Sequence, residues 1–317
     1  MTRLTREPAM LTETIKHMTE ANRGILAADE SVPTISKRFT ENGIPTTPEA
    51  RFEYRKMLFS TDKLSQHIAA IILHEETLTQ MGQYCAELKM VPGIKVDQGL
   101  MDYNGHKITK GLDDLAIRLP KYKAEGARFC KWRAVYSVVD NKPIAWSINA
   151  MQLAMYARIC QDHDLVPIVE PEILLQGNYS LEQAIIAHKQ ILTETFSQLL
   201  AHNVDLKHII LKPSMVLPGS EYVNQVDTET IAKATVETFV EVIPSDLAGI
   251  NFLSGGQTPE QAAERLHAIR NYAAKHNAPF RFSFSYARAL QEPAMKIFAT
   301  SDLSAAQSKL LERAKAN

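Results

Sequence analysis

The sequence predicts a (β/α)8 TIM barrel, an α/β fold, with extra N-terminal and C-terminal helices. Three observations carry that prediction. Eight short apolar runs alternate with amphipathic helical stretches along the 317 residues, the pattern of parallel strands joined by helical crossovers. No GxGxxG follows the first run, which removes the main sign of a doubly wound dinucleotide-binding sheet. No linker or low-complexity tract breaks the alternation, so residues 1–317 read as one domain, a length that barrels occupy as one unit.

The elements follow in order. A charged N-terminal helix precedes the first strand, "GILAADE" (24–30). Strand two is "HIAAIILH" (67–74), three is "GIKVD" (93–97) and four is "ARFCKWRAVY" (127–136). Strand five is "LVPIVEPEI" (165–173), and strand six is "KHIILKPSMV" (207–216). The last two are "AGINFLSGG" (248–256) and "FRFSFSY" (280–286). Residues 147–163 and 180–202 carry helical periodicity. Residues 258–276 open with Thr258 as N-cap and Pro259 at the first helical position. A final helix, "LSAAQSKLLERAKA", lies outside the barrel with the N-terminal one.

Bulk properties exclude several classes. Net charge is −1 and no basic run occurs, so no nucleic acid is expected as a partner. The start "MTRLTREPAMLTETIKHM" lacks the apolar core of a signal peptide, and no window reaches the roughly 18 apolar residues of a membrane span. The three cysteines are scattered, which fits reduced thiols in a cytoplasmic protein. The histidines form no HxH or HxxxH pair and no CxxC occurs, so neither a metal nor another cofactor is expected.

Barrel active sites lie at the C-terminal ends of the strands, and there the sequence is polar. Strand one ends in Asp29 and Glu30, and strand three in Lys95 and Asp97. Strand four carries Lys131 and Arg133, strand five Glu170 and Glu172, and strand six Lys212. Strand seven ends in Ser254-Gly255-Gly256, and strand eight in Tyr286 and Arg288. Period-two spacing puts Lys95/Asp97, Lys131/Arg133 and Glu170/Glu172 each on one face. Taken singly, each of these residues fits a structural ion pair as well as a catalytic role. Taken together they are costly to bury, and apolar replacements are often no less stable.

Several lysines without a metal point to imine chemistry. A lysine can attack a ketone to form a Schiff base, but only roughly one free lysine in 2,500 is neutral at pH 7. Burial and nearby cations favour the neutral amine, and Lys212, facing Lys131 and Lys95 across the rim, meets both conditions. Glu170, Glu172 and Asp29 can supply the acid and base. "LSGG" and Arg288 suit a phosphate, which barrels often bind after strands seven and eight. Lys37, Arg38 and Lys95 suit a second phosphate or, equally, a solvated helix face. The residues alone leave Lys212 open between structural and catalytic roles.

Seven motifs settle on a family. "GILAADES", "GIKVD", "KWR", "VPIVEPEIL", "LKPSMV", "FLSGGQ" and "FSYARALQ" resemble, in order, class I fructose-bisphosphate aldolase, from about residue 15 to the end. The resemblance implies reversible cleavage of fructose 1,6-bisphosphate to dihydroxyacetone phosphate and glyceraldehyde 3-phosphate, in glycolysis and gluconeogenesis, by a homotetramer. It implies that Lys212 is the Schiff-base lysine and that Glu170 serves carbinolamine dehydration. Glu172 and Lys131 would be its neighbours, and Asp29 would handle the C4 hydroxyl. It implies that Lys95 and Arg133 are further active-site cations and that Ser254, Gly255 and Arg288 hold the C1 phosphate. Ser31 and Arg38 fall at the far phosphate.

The chain departs from the family pattern in three places. Ala287 stands where "SYGR" has glycine, and Pro33 and Thr34 stand where many members have glycine and serine. The sequence ends in "LLERAKAN", without the tyrosine-ended tail of many members, so another group or a water is expected to protonate the enamine. Competing readings are another Schiff-base barrel aldolase with one phosphate site, a metal-dependent aldolase, and a barrel retained as a scaffold.

Overall fold

A computed structural model of the chain describes residues 9–20, 23–139, 143–224 and 226–317. Its strands are β1 (Gly24–Ala28), β2 (Ile68–Leu73), β3 (Val91–Lys95), β4 (Leu100–Tyr103), β5 (His106–Thr109), β6 (Phe129–Tyr136), β7 (Val166–Ile173), β8 (Ile210–Leu211), β9 (Gly249–Phe252) and β10 (Phe282–Tyr286). Its helices are α1 (Ala9–Thr19), α2 (Val32–Glu41), α3 (Pro48–Phe59), α4 (Glu75–Glu87), α5 (Leu115–Ala124), α6 (Pro143–Asp162), α7 (Leu181–Ala201), α8 (Thr228–Val242), α9 (Pro259–Lys275), α10 (Arg288–Phe298) and α11 (Leu303–Lys315). All strands but β4 and β5 close one parallel barrel in the order β1-β10-β9-β8-β7-β6-β3-β2. Each of the eight expected strands is therefore a stave of the barrel.

Alternation along the staves sorts side chains into two layers. Ile25, Ala27, Ala70, Ile72, Phe129, Val166, Ile168 and Ile210 fill the interior. Leu11 and Met18 of α1 join this cluster, so the first helix plugs the barrel rather than merely lying beside it. Leu26, Ile71, Ile94, Trp132, Val169, Leu211 and Phe252 belong to the other layer, packed with the helices. Gly93 makes room inside: a Cβ there would lie 2.3 Å from the Phe129 ring. The helix starts follow their capping residues. Thr258 accepts from the Gln261 amide, and the Gln261 side chain returns a bond to the cap, satisfying two otherwise orphaned groups.

Two details differ from the sequence reading. Residues 100–109 form an antiparallel hairpin, β4–β5. Its turn, Asn104-Gly105, has φ of 49° and 80°, the left-handed pair that a tight hairpin requires. Strand six is also shorter than expected. Leu206–His208 wind into a 3-10 turn and only Ile210–Leu211 are strand, because Pro213 has no N–H to continue the ladder. The Lys212 amide still donates to Val169 O at 2.8 Å, which fixes the backbone of that lysine to β7.

Candidate active site

The inward positions of β3, β6, β7 and β8 change character two residues above the apolar layer. Phe129 is followed by Lys131 and Arg133, Ile168 by Glu170 and Glu172, and Ile210 by Lys212. Register places Lys95 beside Lys131 and Arg133 beside Glu170. Lys131 and Lys212 are 3% and 4% exposed, Glu170 4% and Asp97 8%.

These groups pair in a continuous array. Lys212 Nζ lies 3.0 Å from Glu170 Oε1. The other oxygen, Oε2, lies 3.4 Å from Lys131 Nζ. Lys131 is also 2.8 Å from Asp29 Oδ2 and 3.6 Å from Asp97 Oδ2. Lys95 closes the chain, 2.6 Å from Asp97 Oδ1. Three lysines thus interleave with three carboxylates. The expected cations do converge on Lys212, but with acids between them.

Electrostatics follow from that interleaving. Burial alone would raise the Asp29 carboxyl, but Lys131, Lys212 and Lys95 outweigh it and hold it well below the usual range. Asp97 is lowered likewise, burial being opposed by Lys131 and Lys95. Burial disfavours the Lys131 charge, yet Asp29, Glu170 and Asp97 keep its ammonium well above its ordinary value. Lys131 therefore rests as a cation and Asp29 as an anion. The Glu170 carboxylate bridges two lysines, Lys212 at 3.0 Å and Lys131 at 3.4 Å.

The remaining candidates surround this array. Glu172 Oε2 accepts from Arg133 Nε at 2.5 Å. Ser254 and Gly255 lie on the loop after β9, where a Cβ at Gly255 would stand 3.3 Å from Glu172 Oε1. Arg288 is exposed at the first turn of α10. Ala287 caps that helix at φ −102°, outside the left-handed region that favours glycine. Ser31 caps α2, its Oγ 3.0 Å from Thr34 Oγ1, and Pro33 occupies the helix's first turn, where a missing N–H costs nothing.

Arg38 sits differently from a free phosphate ligand. It bonds Glu30 at 2.5 Å, and Glu30 also accepts from Arg55 at 2.9 Å and from Gln291 at 2.9 Å. Lys37 is exposed, 4.0 Å from Glu41. Tyr286 turns outward, its hydroxyl donating to Ala262 O at 3.1 Å. Asp97 is the member that sequence reasoning left without a role. Its place at the end of strand three and its period-two spacing from Lys95 were the available signal.

A cavity of about 290 Å³ opens beside the array, lined by Ser31, His74, Lys95, Asp97, Gly99 and Arg118 among others.

Comparison with known proteins converges on one family. The family model described as fructose-bisphosphate aldolase class-I matches residues 10–317. A probable fructose-bisphosphate aldolase class 1 of Xanthomonas campestris pv. campestris is 41% identical over 322 residues, covering 97% of this chain and 96% of its own. Fructose-bisphosphate aldolase 4, cytosolic, of Arabidopsis thaliana is 42% identical, covering 93% of this chain and 78% of its own. A solved structure of fructose-bisphosphate aldolase from Plasmodium falciparum, in complex with TRAP and a small-molecule inhibitor, superposes with a TM-score of 0.94. It is 39% identical and covers 98% of this chain and 93% of its own.

Proposed function

The chain belongs to the class I fructose-bisphosphate aldolase family, and from that membership we propose the residues that carry its chemistry. The activity is reversible cleavage of fructose 1,6-bisphosphate to dihydroxyacetone phosphate and glyceraldehyde 3-phosphate through a lysine Schiff base, in glycolysis.

Lys212 is the nucleophile. It passes a proton to Glu170, 3.0 Å away, and the neutral amine attacks the C2 ketone. A proton then moves from the new ammonium nitrogen to the alkoxide oxygen, giving the carbinolamine, and Glu170 returns its proton to that hydroxyl, which leaves as water. The cationic imine draws electrons from the C3–C4 bond as Asp29 takes the proton of the C4 hydroxyl. Glyceraldehyde 3-phosphate departs and an enamine remains; the proton held by Asp29 passes by way of water to C3, and hydrolysis of the resulting imine frees dihydroxyacetone phosphate and the Lys212 amine. Lys131, fixed as a cation among Asp29, Glu170 and Asp97, stabilises the developing alkoxide. Arg133 orients Glu172 at the array's edge. Ser254, Gly255 and Arg288 take the C1 phosphate, and Lys95 and Ser31 the phosphate of the aldehyde half, with Arg38 steadying Glu30 beside them.

The observation that carries this reading is the Lys212–Glu170–Lys131–Asp29 chain. The experiment is borohydride reduction with dihydroxyacetone phosphate in the presence of a chelator, followed by peptide mass mapping. A stable adduct on Lys212 is expected. An adduct on Lys95 or Lys131 keeps the reaction and reverses the roles, and none from folded protein overturns the assignment.

Residues 1–317 act as one domain in this reading, in a cytoplasmic homotetramer. Supporting assembly, Ile144, Met151 and Met155 form an exposed apolar stripe on α6, at helical spacing. No helix among the described residues is long and apolar enough to cross a membrane.

A further inference from the structure

The array accounts for Asp29, Lys95, Asp97, Lys131, Glu170 and Lys212. It does not account for His74, which leaves β2 at the same rim and caps α4. His74 lines the 290 Å³ cavity together with Ser31 and Lys95. Its Nδ1 is buried with no hydrogen-bond partner, which is costly unless a ligand satisfies it. We propose that His74 is a specificity-determining residue, whose Nδ1 hydrogen-bonds the hydroxyl adjacent to the carbonyl of the aldehyde half.

The assignment rests on the proposed imine at Lys212 and on the direction in which the substrate must then run. With the ketone carbon at Lys212 and the C1 phosphate on the β9 and β10 loops, the aldehyde half extends past Lys131 and Asp29. The cavity beside Lys95 is the space on that side. Its polar groups divide by chemistry. Lys95 and the Ser31 hydroxyl suit a phosphate oxygen. The Asp97 carboxylate is already shared between Lys95 and Lys131, and Asp29 by Lys131. Arg118 is spent on Asp114 and on the carbonyls of Val96 and Gly111. Gln98 is exposed and the Tyr122 hydroxyl accepts from Arg118, so His74 offers the cavity's buried, unpartnered neutral atom, and a hydroxyl needs a neutral partner rather than a second charge.

The ring's surroundings keep it neutral. Burial, then Lys95 and Arg55, push the His74 imidazole below its ordinary value, against Asp29 and Glu76. A neutral imidazole offers one acceptor and one donor, which matches a hydroxyl.

The test runs in the condensation direction, with dihydroxyacetone phosphate and two acceptors, glyceraldehyde 3-phosphate and its analogue lacking the 2-hydroxyl. Wild-type enzyme should prefer the hydroxylated acceptor in kcat/KM. In His74→Leu that preference should fall by roughly two- to tenfold, the worth of one hydrogen bond, chiefly through KM. In His74→Asn, which keeps a polar atom at the Nδ1 position, it should largely return. Borohydride trapping on Lys212 reports the imine half separately, so failure there counts against the mechanism and not against His74. Equal loss on both acceptors in His74→Leu, an unchanged preference, or no rescue by Asn in a folded variant overturns the proposal.

Discussion

The lower and upper halves of the same strands obey opposite rules. On β6, β7 and β8 the lower inward residues are Phe129, Ile168 and Ile210, while two positions on they are Lys131, Glu170 and Lys212. Backbone, periodicity and burial are alike, and only the chemistry changes. The lower layer is tightly packed and apolar, so its residues contribute stability. The upper layer buries charges whose pairing roughly offsets their desolvation, so its residues contribute reactivity. The largest test is Lys212→Met. It should lower kcat/KM for fructose 1,6-bisphosphate by at least about a thousandfold, measured by coupled assay. Thermal unfolding should move little, because Glu170 keeps Lys131 at 3.4 Å and a methionine fills the same space. A collapse in melting temperature would show that the rim is structural after all.

The opposite substitution lies lower on β6. Phe129 is fully buried and wedged against Gly93. Phe129→Ala should cost about 3–5 kcal/mol, measured by urea unfolding, while molecules that remain folded keep kcat within a few fold. Loss of kcat in fully folded protein would mean that the two layers are mechanically coupled.

The same contrast explains what was legible in the sequence. The staves were readable because each is a continuous apolar run, as buried parallel strands must be. The rim was readable because so many charges gathered at the strands' C-terminal ends are costly to bury for stability alone. Pairings were not readable. Glu30 meets Arg38, Arg55 and Gln291, which lie 8, 25 and 261 residues away, and no local pattern announces such partners. The carboxylates between the lysines were visible as residue types but not as an alternating array, since that order arises only when five strands, β1, β3, β6, β7 and β8, align. The β4–β5 hairpin had a local signal in Asn104-Gly105, hidden because its strands lie outside the barrel and are mostly exposed.

A titratable group buried without a counter-ion gives a third, smaller test. His188 on α7 is 2% exposed and bonds Ala184 O at 2.8 Å through Nδ1. Burial pushes it down to about 4, against backbone contacts at Ala184 and Ser214. An unfolded histidine titrates near 6.5. As pH falls below 6.5 the unfolded chain takes up a proton that the folded chain refuses. The stability that neutral His188 lends above that pH is therefore lost on the way down to about 4. The drop is about 3 kcal/mol, from about 2.5 units at 1.36 kcal/mol each. Asp29 and Asp97, also held low, lose their contributions only below the ordinary carboxylate value of about 3.9. Urea midpoints between pH 7 and 4.5 should show the slope in wild type and a shallower profile in His188→Gln, the remainder coming from His67 and His74, which burial also holds low. An unchanged slope would place the responsible group elsewhere.

The smallest effect is expected at Ala287, where rim and interior meet. Its φ of −102° is open to any residue, and its methyl packs against the interior cluster that includes Ile25 and Phe129. Nothing in the backbone there demands glycine. Ala287→Gly should therefore cost less than about 1 kcal/mol, mainly through the added freedom of the unfolded chain, and should leave KM for the bisphosphate within about twofold. A tenfold fall in KM would show that the methyl obstructs the C1 phosphate, and would extend the reactive layer across a residue whose packing marks it as part of the apolar one.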